Sequence, residues 1–236
     1  MKNKWSVSIF FPVYNEENNI DSTISSALSA ISGITDDYEI LMINDGSSDG
    51  SRKKILDWEK KDSRIRLIDH ETNKGYGAAL RTGFANACKE LVFYTDADMP
   101  IDINEIKRIF PLMQQYDLVI GYRINREDTI RRFIYSKIYN MLLRILLRVN
   151  VIDANFSCKC IKKSKMSEFK LSSNSVFIDG EFLAEAARNN LTIKQIPFIY
   201  TPRRHGDSNF DNIKAALSTL TEMLSYWKNR RFSGGG

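Results

Sequence analysis

Short apolar runs rich in Val, Ile, Phe and Tyr recur through the first half of the chain, at residues 5–11, 38–43, 65–68, 91–94 and 118–120. Between them lie mixed polar and apolar segments at 16–31, 51–61, 77–89 and 103–115, each about long enough for a helical crossover. This alternation predicts an α/β fold, a Rossmann-like, mainly parallel sheet flanked by helices. In open parallel sheets ligands bind outside the carboxyl ends of the strands, so the segments just after each run are where chemistry is expected.

Beyond residue 125 the rhythm stops. Residues 130–149 read as one or two helices with apolar positions at Ile130, Ile134, Ile138, Met141 and Ile145, and with Lys137, Arg144 and Arg148 on another face. That stripe suits either a packed amphipathic helix or one lying on an anionic membrane surface. A weak strand at 156–161, a helix at 180–189, a strand at 192–197 and a last amphipathic helix at 212–228 complete the pattern. The expected organisation is a catalytic unit over 1–210, a C-terminal amphipathic helix over 211–232, and a linker remnant at 233–236 that contains Gly234 to Gly236.

Composition narrows the class. With 236 residues, 43% of them hydrophobic and 27% charged, the chain can bury one sizeable core. A net charge of +5 favours anionic partners only weakly. Cys88, Cys158 and Cys160 are an odd number and lack zinc-site spacing, so they are expected to be reduced, small, buried hydrophobes. The first apolar run is too short to span a membrane or to serve as a leader, which fits the cytoplasm or the cytoplasmic face of a membrane.

Three of the segments that follow apolar runs are polar: Pro12 to Glu16, Asn44 to Gly50, and Thr95 to Asp98. Asp96-Ala97-Asp98 places two carboxylates around a small residue at a strand end, where both can turn toward one hard cation that also takes pyrophosphate oxygens; Mg2+ or Mn2+ suits such ligands. In Asn73 to Arg81 the glycines admit close backbone approach, and the following helix offers its amino end to phosphate. The spacing matches neither a Walker loop nor the dinucleotide fingerprint. Asp45, in a segment of turn- and cap-forming residues, is a candidate contact to a base or ribose.

Taken together and in order, Val13-Tyr14-Asn15-Glu16-Glu17, Ile43-Asn44-Asp45-Gly46-Ser47, Asn73-Lys74-Gly75 and Asp96-Ala97-Asp98 resemble the inverting family 2 glycosyltransferases of the dolichol-phosphate mannose synthase type. The resemblance covers about residues 5–210 and implies the glycosyltransferase A fold, a nucleotide-diphosphate sugar donor and a divalent metal. It places Pro12, Tyr14, Glu16, Asp45, Gly46, Lys74, Gly75, Arg81, Asp96 and Ala97 around the nucleotide sugar, and Asp96 with Asp98 on the metal. Gly121-Tyr122-Arg123 and Arg132 to Ser136 are similar to acceptor-phosphate elements of the polyprenyl-phosphate enzymes, and Arg203 to Ser208 to their donor-closing loop. Arg123, Arg132, Ser136 and Arg203 are therefore the implied acceptor-phosphate group. Two departures stand out: Asn209 where a Lys is frequent, and Met99-Pro100 where the mannose synthases carry Leu-Gln.

The expected reaction is inverting transfer to a polyprenyl phosphate, whose oxygen is already ionised and needs no strong base. Asp98, Arg123 and Arg132 would support it, arginine forks being good phosphate ligands. The alternative acceptor is a sugar hydroxyl of a cell-surface glycan, with Asp179 or Glu181 as base; Asp179 also fits a helix cap. A sugar-phosphate nucleotidyltransferase needs a glycine-rich amino-terminal loop, and 12–17 holds no glycine. Acidic loops at the strand ends argue against nucleic acid as a partner.

Overall fold

The computed structural model describes residues 5–125, 130–200 and 213–232, with the side chains of 130–133, 213–217 and 231–232 outside that description. Seven strands form one sheet in the order β3-β2-β1-β4-β6-β5-β7. β1 (Val7–Val13) lies between β2 (Tyr38–Asp45) and β4 (Leu91–Tyr94), and β3 (Ile65–His70) flanks β2, all in parallel. β6 (Lys159–Lys162) runs antiparallel between β4 and β5 (Leu118–Ile124), and β7 (Ile193–Ile199) pairs in parallel with β5. The order of the strands reverses at β1 and β4, which is where such a sheet opens a crevice at its carboxyl edge.

Side-chain alternation along each strand builds two cores, one on each face of the sheet. On β1, Ile9 and Phe11 point to the face that holds α1 (Glu17–Ser32), whereas Phe10 points to the face of α3 (Tyr76–Asn86) and α5 (Phe177–Arg188). There Phe10 stacks on Tyr94 with ring centroids 5.3 Å apart, and Phe84 meets both edge-on. Gly83 permits this: a Cβ there would lie 2.4 Å from the Phe10 ring. α2 (Ser51–Lys61) joins β2 to β3 as a crossover.

Two expectations change. The helix expected over 103–115 is two 3-10 turns, Ile103–Arg108 and Phe110–Gln114, separated at Ile109 just ahead of Pro111, which has no N–H to continue an α-helix. Cys158 and Cys160 are buried, and burial pushes both thiols far above their usual range, but Cys88 is exposed. In α4 (Ile130–Leu147), Leu143 is the fully buried residue, with Tyr139, Leu142 and Leu146 packed beside it. Of the two arrangements that the apolar stripe suited, the structure shows it facing outward: Ile134, Ile138, Met141 and Ile145 are all exposed, Ile145 by 66%. The last helix, α6 (Ile213–Phe232), packs on α5 through fully buried Met223 and through Tyr226 and Arg230, which both reach the buried Glu185 carboxylate at 2.5 Å.

Candidate active site

The polar segments after β1, β2, β3 and β4 are tied to one another at the carboxyl edge. Asn15, with φ 56°, accepts from the Ser48 N–H at 2.8 Å and donates its own N–H to Ser47 Oγ at 3.0 Å. Glu16 N–H donates to Ser51 Oγ at 2.9 Å, and Glu17 accepts from Gly50 N–H at 3.0 Å. These bonds suture the loops after β1 and β2. Gly46, with φ 67°, carries the next junction: a Cβ there would stand 2.5 Å from the Asn73 backbone nitrogen. Only glycine combines that conformation with such an approach.

Asp45 is turned toward the protein. Its carboxylate, 3% exposed with the rest of the residue, accepts from the Lys74 and Gly75 N–H groups, each at 2.9 Å, and lies 2.7 Å from His70 Nδ1. It therefore shapes the 73–77 loop. Arg81 likewise spends its guanidinium on the 172–174 loop, donating to Ser172 O at 2.9 Å, Asn174 Oδ1 at 2.6 Å and Ser173 O. Those bonds tie α3 to the 172–174 loop. Pro12, Glu16, Gly46 and Gly75 are half-buried at the strand tips, while Tyr14 and Lys74 are exposed there.

The Asp96-Ala97-Asp98 segment follows β4 in a tight turn. Met99 N–H donates to Asp96 O at 3.2 Å, and Met99 itself takes φ 54°. Ala97 is buried, its carbonyl accepting from Thr23 Oγ1 of α1 at 2.6 Å, so the small residue faces inward with Asp96 and Asp98 half-buried on either side. Asp96 N–H reaches Ser157 Oγ at 3.4 Å, and its Oδ1 accepts from the Tyr76 hydroxyl at 3.2 Å. Burial first, then the charges of Asp179 and Asp96, pushes the Tyr76 phenol well above its usual range, so it remains a donor.

Of the residues expected to meet an acceptor phosphate, Arg123 forms a bidentate pair with buried Asp153, at 2.7 and 2.9 Å, and lies 5.5 Å from the rings of both Phe156 and Tyr200. Such a pair fixes the guanidinium plane but commits two of its donors to the protein. Ser136 is half-buried on α4; the Arg132 side chain and the Arg203 loop lie outside the described residues. Both candidate bases are buried. Asp179 and Glu181 are each 1% exposed; Asp179 accepts from Lys159 Nζ and Tyr94 Oη, both at 2.6 Å, and Glu181 accepts from the Ser172 and Ser173 N–H groups.

Among the described residues no group of three or more His, Cys, Asp or Glu side chains could hold a metal. Two carboxylates suffice for a cation that completes its shell with water and substrate phosphates, which is how Mg2+ and its like are usually held. The donor set of Asp96 and Asp98 fits that chemistry. Sequence reasoning passed over Tyr76, Thr23, Ser157 and Lys159. Tyr76 sat inside a segment already singled out, but its reach to Asp96 depends on α3 lying beside the end of β4.

Residues 8–170 match the model of glycosyl transferase family 2. An undecaprenyl-phosphate 4-deoxy-4-formamido-L-arabinose transferase of Pectobacterium carotovorum subsp. carotovorum is 36% identical over 225 residues, 93% of this chain and 67% of that protein. Glycosyltransferase AglD of Haloferax volcanii is 24% identical over 231 residues, 94% of this chain but 37% of its own length. The chain thus spans about two thirds of one relative and well under half of the other. Glucosyl-3-phosphoglycerate synthase from Mycobacterium tuberculosis, crystallised with Mn2+, UDP and glucosyl-3-phosphoglycerate, superposes with a TM-score of 0.74 at 17% identity, covering 94% of this chain and 80% of that one.

Proposed function

The chain belongs to glycosyl transferase family 2 and carries the glycosyltransferase A fold, and on that premise we propose that it transfers a sugar from a nucleotide-diphosphate donor to a polyprenyl phosphate, assisted by Mg2+ or Mn2+. The observation that carries this reading is the Asp96-Ala97-Asp98 turn at the point where the strand order reverses, hydrogen-bonded to Tyr76 at the start of the glycine-bearing α3. Asp96 and Asp98 would hold the cation, which when bound offsets charge on the departing diphosphate. The chain's own groups do the rest. Gly46 and Gly75 keep side chains out of the space between the loops, and Asp45 holds the Lys74–Gly75 backbone in place.

The phosphate acceptor is supported by what the site lacks need of. A phosphate oxygen is ionised near neutral pH, and both carboxylates that a hydroxyl acceptor would require are buried in bonds to the protein. It is supported, too, by the apolar surface at the acceptor side. Ile124 and Ile199 pair at the tips of β5 and β7 and are exposed, Ile199 by 67%, and the α4 stripe adds Ile134, Ile138, Met141 and Ile145 beside exposed Lys137 and Arg144. Apolar area bordered by cations suits an anionic bilayer surface, from which a long-chain acceptor would be presented. None of the described helices is long and apolar enough to cross a membrane, so the contact would be peripheral for this part of the protein.

The undecaprenyl-phosphate transferases give the same direction, their names placing a polyprenyl phosphate with the sugar that they transfer. A panel of nucleotide sugars, each with and without a short polyprenyl phosphate in Mg2+ or Mn2+, tests the reading. Lipid-linked product from one donor is expected; transfer to a glycan hydroxyl alone would replace this reading with the other.

A further inference from the structure

We propose that Tyr76 is a positioning residue that fixes the orientation of the Asp96 carboxylate for cation binding. The inference rests on the reading of Asp96 and Asp98 as the cation pair and concerns how that pair is held. Tyr76 opens α3 between two glycines whose surroundings leave the backbone nowhere to go. At Gly75, with φ 95°, a Cβ would stand 2.6 Å from Asn174 O, and at Gly77 one would stand 2.3 Å from Ser173 O. Gly77 N–H donates to Asn174 O at 3.0 Å, which fastens the same turn. The root of the Tyr76 side chain is therefore fixed from both sides.

Asp96 is fixed at its backbone in the same way, its N–H on Ser157 Oγ at 3.4 Å and its carbonyl accepting from Met99 N–H at 3.2 Å. What remains is rotation of the carboxylate about its side-chain bonds, and the Tyr76 hydroxyl at 3.2 Å from Oδ1 restrains that rotation. The chemistry of the donor matters. A lysine or arginine in this place would neutralise Asp96 and compete with a divalent cation, whereas a phenol orients the carboxylate and leaves its charge intact. Two carboxylates only two residues apart repel each other, so holding one of them in register lowers the reorganisation that a bound cation must impose.

Tyr94 supplies an internal control. Its hydroxyl, fully buried where that of Tyr76 belongs to a half-buried residue, also donates to a carboxylate, but that carboxylate is Asp179, paired with Lys159, and not Asp96. Titration of Mn2+ into the full chain, followed by loss of the free-ion electron paramagnetic resonance signal, separates the two. Tyr76→Phe should weaken Mn2+ binding about tenfold, equivalent to about 1.4 kcal/mol, with its melting temperature near wild type. Tyr94→Phe should lower the melting temperature while its Mn2+ affinity stays within about twofold of wild type, well short of the loss of one hydrogen bond to a charged group.

A second variant, Tyr76→Leu, removes the hydroxyl together with the ring and should match Tyr76→Phe in Mn2+ affinity. Wild-type affinity in Tyr76→Phe overturns the proposal, whatever Tyr76→Leu does, as does equal weakening in Tyr76→Phe and Tyr94→Phe, which would mark a general packing effect. Failure of the parent reading looks different: a wild-type protein that binds no Mn2+, or Asp98→Ala binding it as wild type does, removes the cation pair and this inference with it.

Discussion

Replacing Asp179 with alanine leaves a buried ammonium without its anionic partner. Lys159 sits on the antiparallel strand β6, directly opposite Tyr94 of β4, with its side chain 0% exposed. Its ammonium donates to Asp179 Oδ1 at 2.6 Å and to Phe156 O at 2.7 Å. In Asp179→Ala the ammonium keeps one neutral carbonyl, and Tyr94 Oη loses its acceptor as well. Breaking a buried pair by removing one partner costs about 3–5 kcal/mol. For a chain of this size each kcal/mol moves the melting temperature by about 2–4 °C, so a fall of roughly 6–20 °C is expected. Scanning calorimetry or a circular-dichroism melt reads it directly. The double variant Lys159→Met/Asp179→Leu should recover much of the loss, because it removes both charges at once. Were Asp179→Ala to melt with the wild type while losing transfer activity, the carboxylate would be acting on substrate, and the hydroxyl-acceptor mechanism would regain its base.

Three other changes probe separate parts of the molecule. Gly75→Ala places a Cβ 2.6 Å from Asn174 O at φ 95°, so a loss of about 1–3 kcal/mol of stability is expected; a chemical-denaturation midpoint equal to wild type would show that the loop yields. Ile138→Glu with Ile145→Glu should abolish sedimentation with anionic phosphatidylglycerol vesicles yet leave stability within about 0.5 kcal/mol, since both positions are exposed; unchanged co-sedimentation would remove α4 from the membrane contact. Glu39 provides a pH test. Burial alone would raise its pKa, but hydrogen bonds from Ser8, the Cys88 N–H and Arg66 outweigh burial and hold it below the ordinary range. A depressed pKa means that the stabilisation is fully present above the unfolded value, about 4.3, and is lost as the pH falls through the lower folded value. Melting temperature should therefore fall less steeply below about pH 4.3 in Glu39→Gln than in wild type; identical slopes would refute the assignment.

Much of the sheet was legible because parallel strands are buried on both faces and so read as continuous apolar runs, as residues 38–43 and 91–94 do. β6 was harder. It has four residues, begins and ends in lysine, and draws its pairing from β4 and β5 on either side. The break at Ile109 depended on one proline whose effect is local, yet the helical period of the whole segment hid it. In α4, periodicity found the stripe of Ile134, Ile138, Met141 and Ile145 but not which way it faced, because a second apolar set, Tyr139, Leu142, Leu143 and Leu146, runs along the same helix. A hydrophobic pattern ranks faces by composition; only the neighbours decide which face is covered.

The site follows the same logic at the level of single side chains. Residue type and position after a strand were enough to bring Asp96, Asp98, Gly46 and Gly75 to one edge, since strand order alone fixes where a strand tip lies. What each polar group bonds is set by segments remote in sequence. Arg81 meets a loop 91 residues on, Arg123 meets Asp153 30 residues on, and Asp179 meets Tyr94 85 residues back. Each of these charges is satisfied by the protein. On the proposed reading, the groups that engage a diphosphate and a cation need a rigid support, and buried pairs such as Lys159–Asp179 supply it.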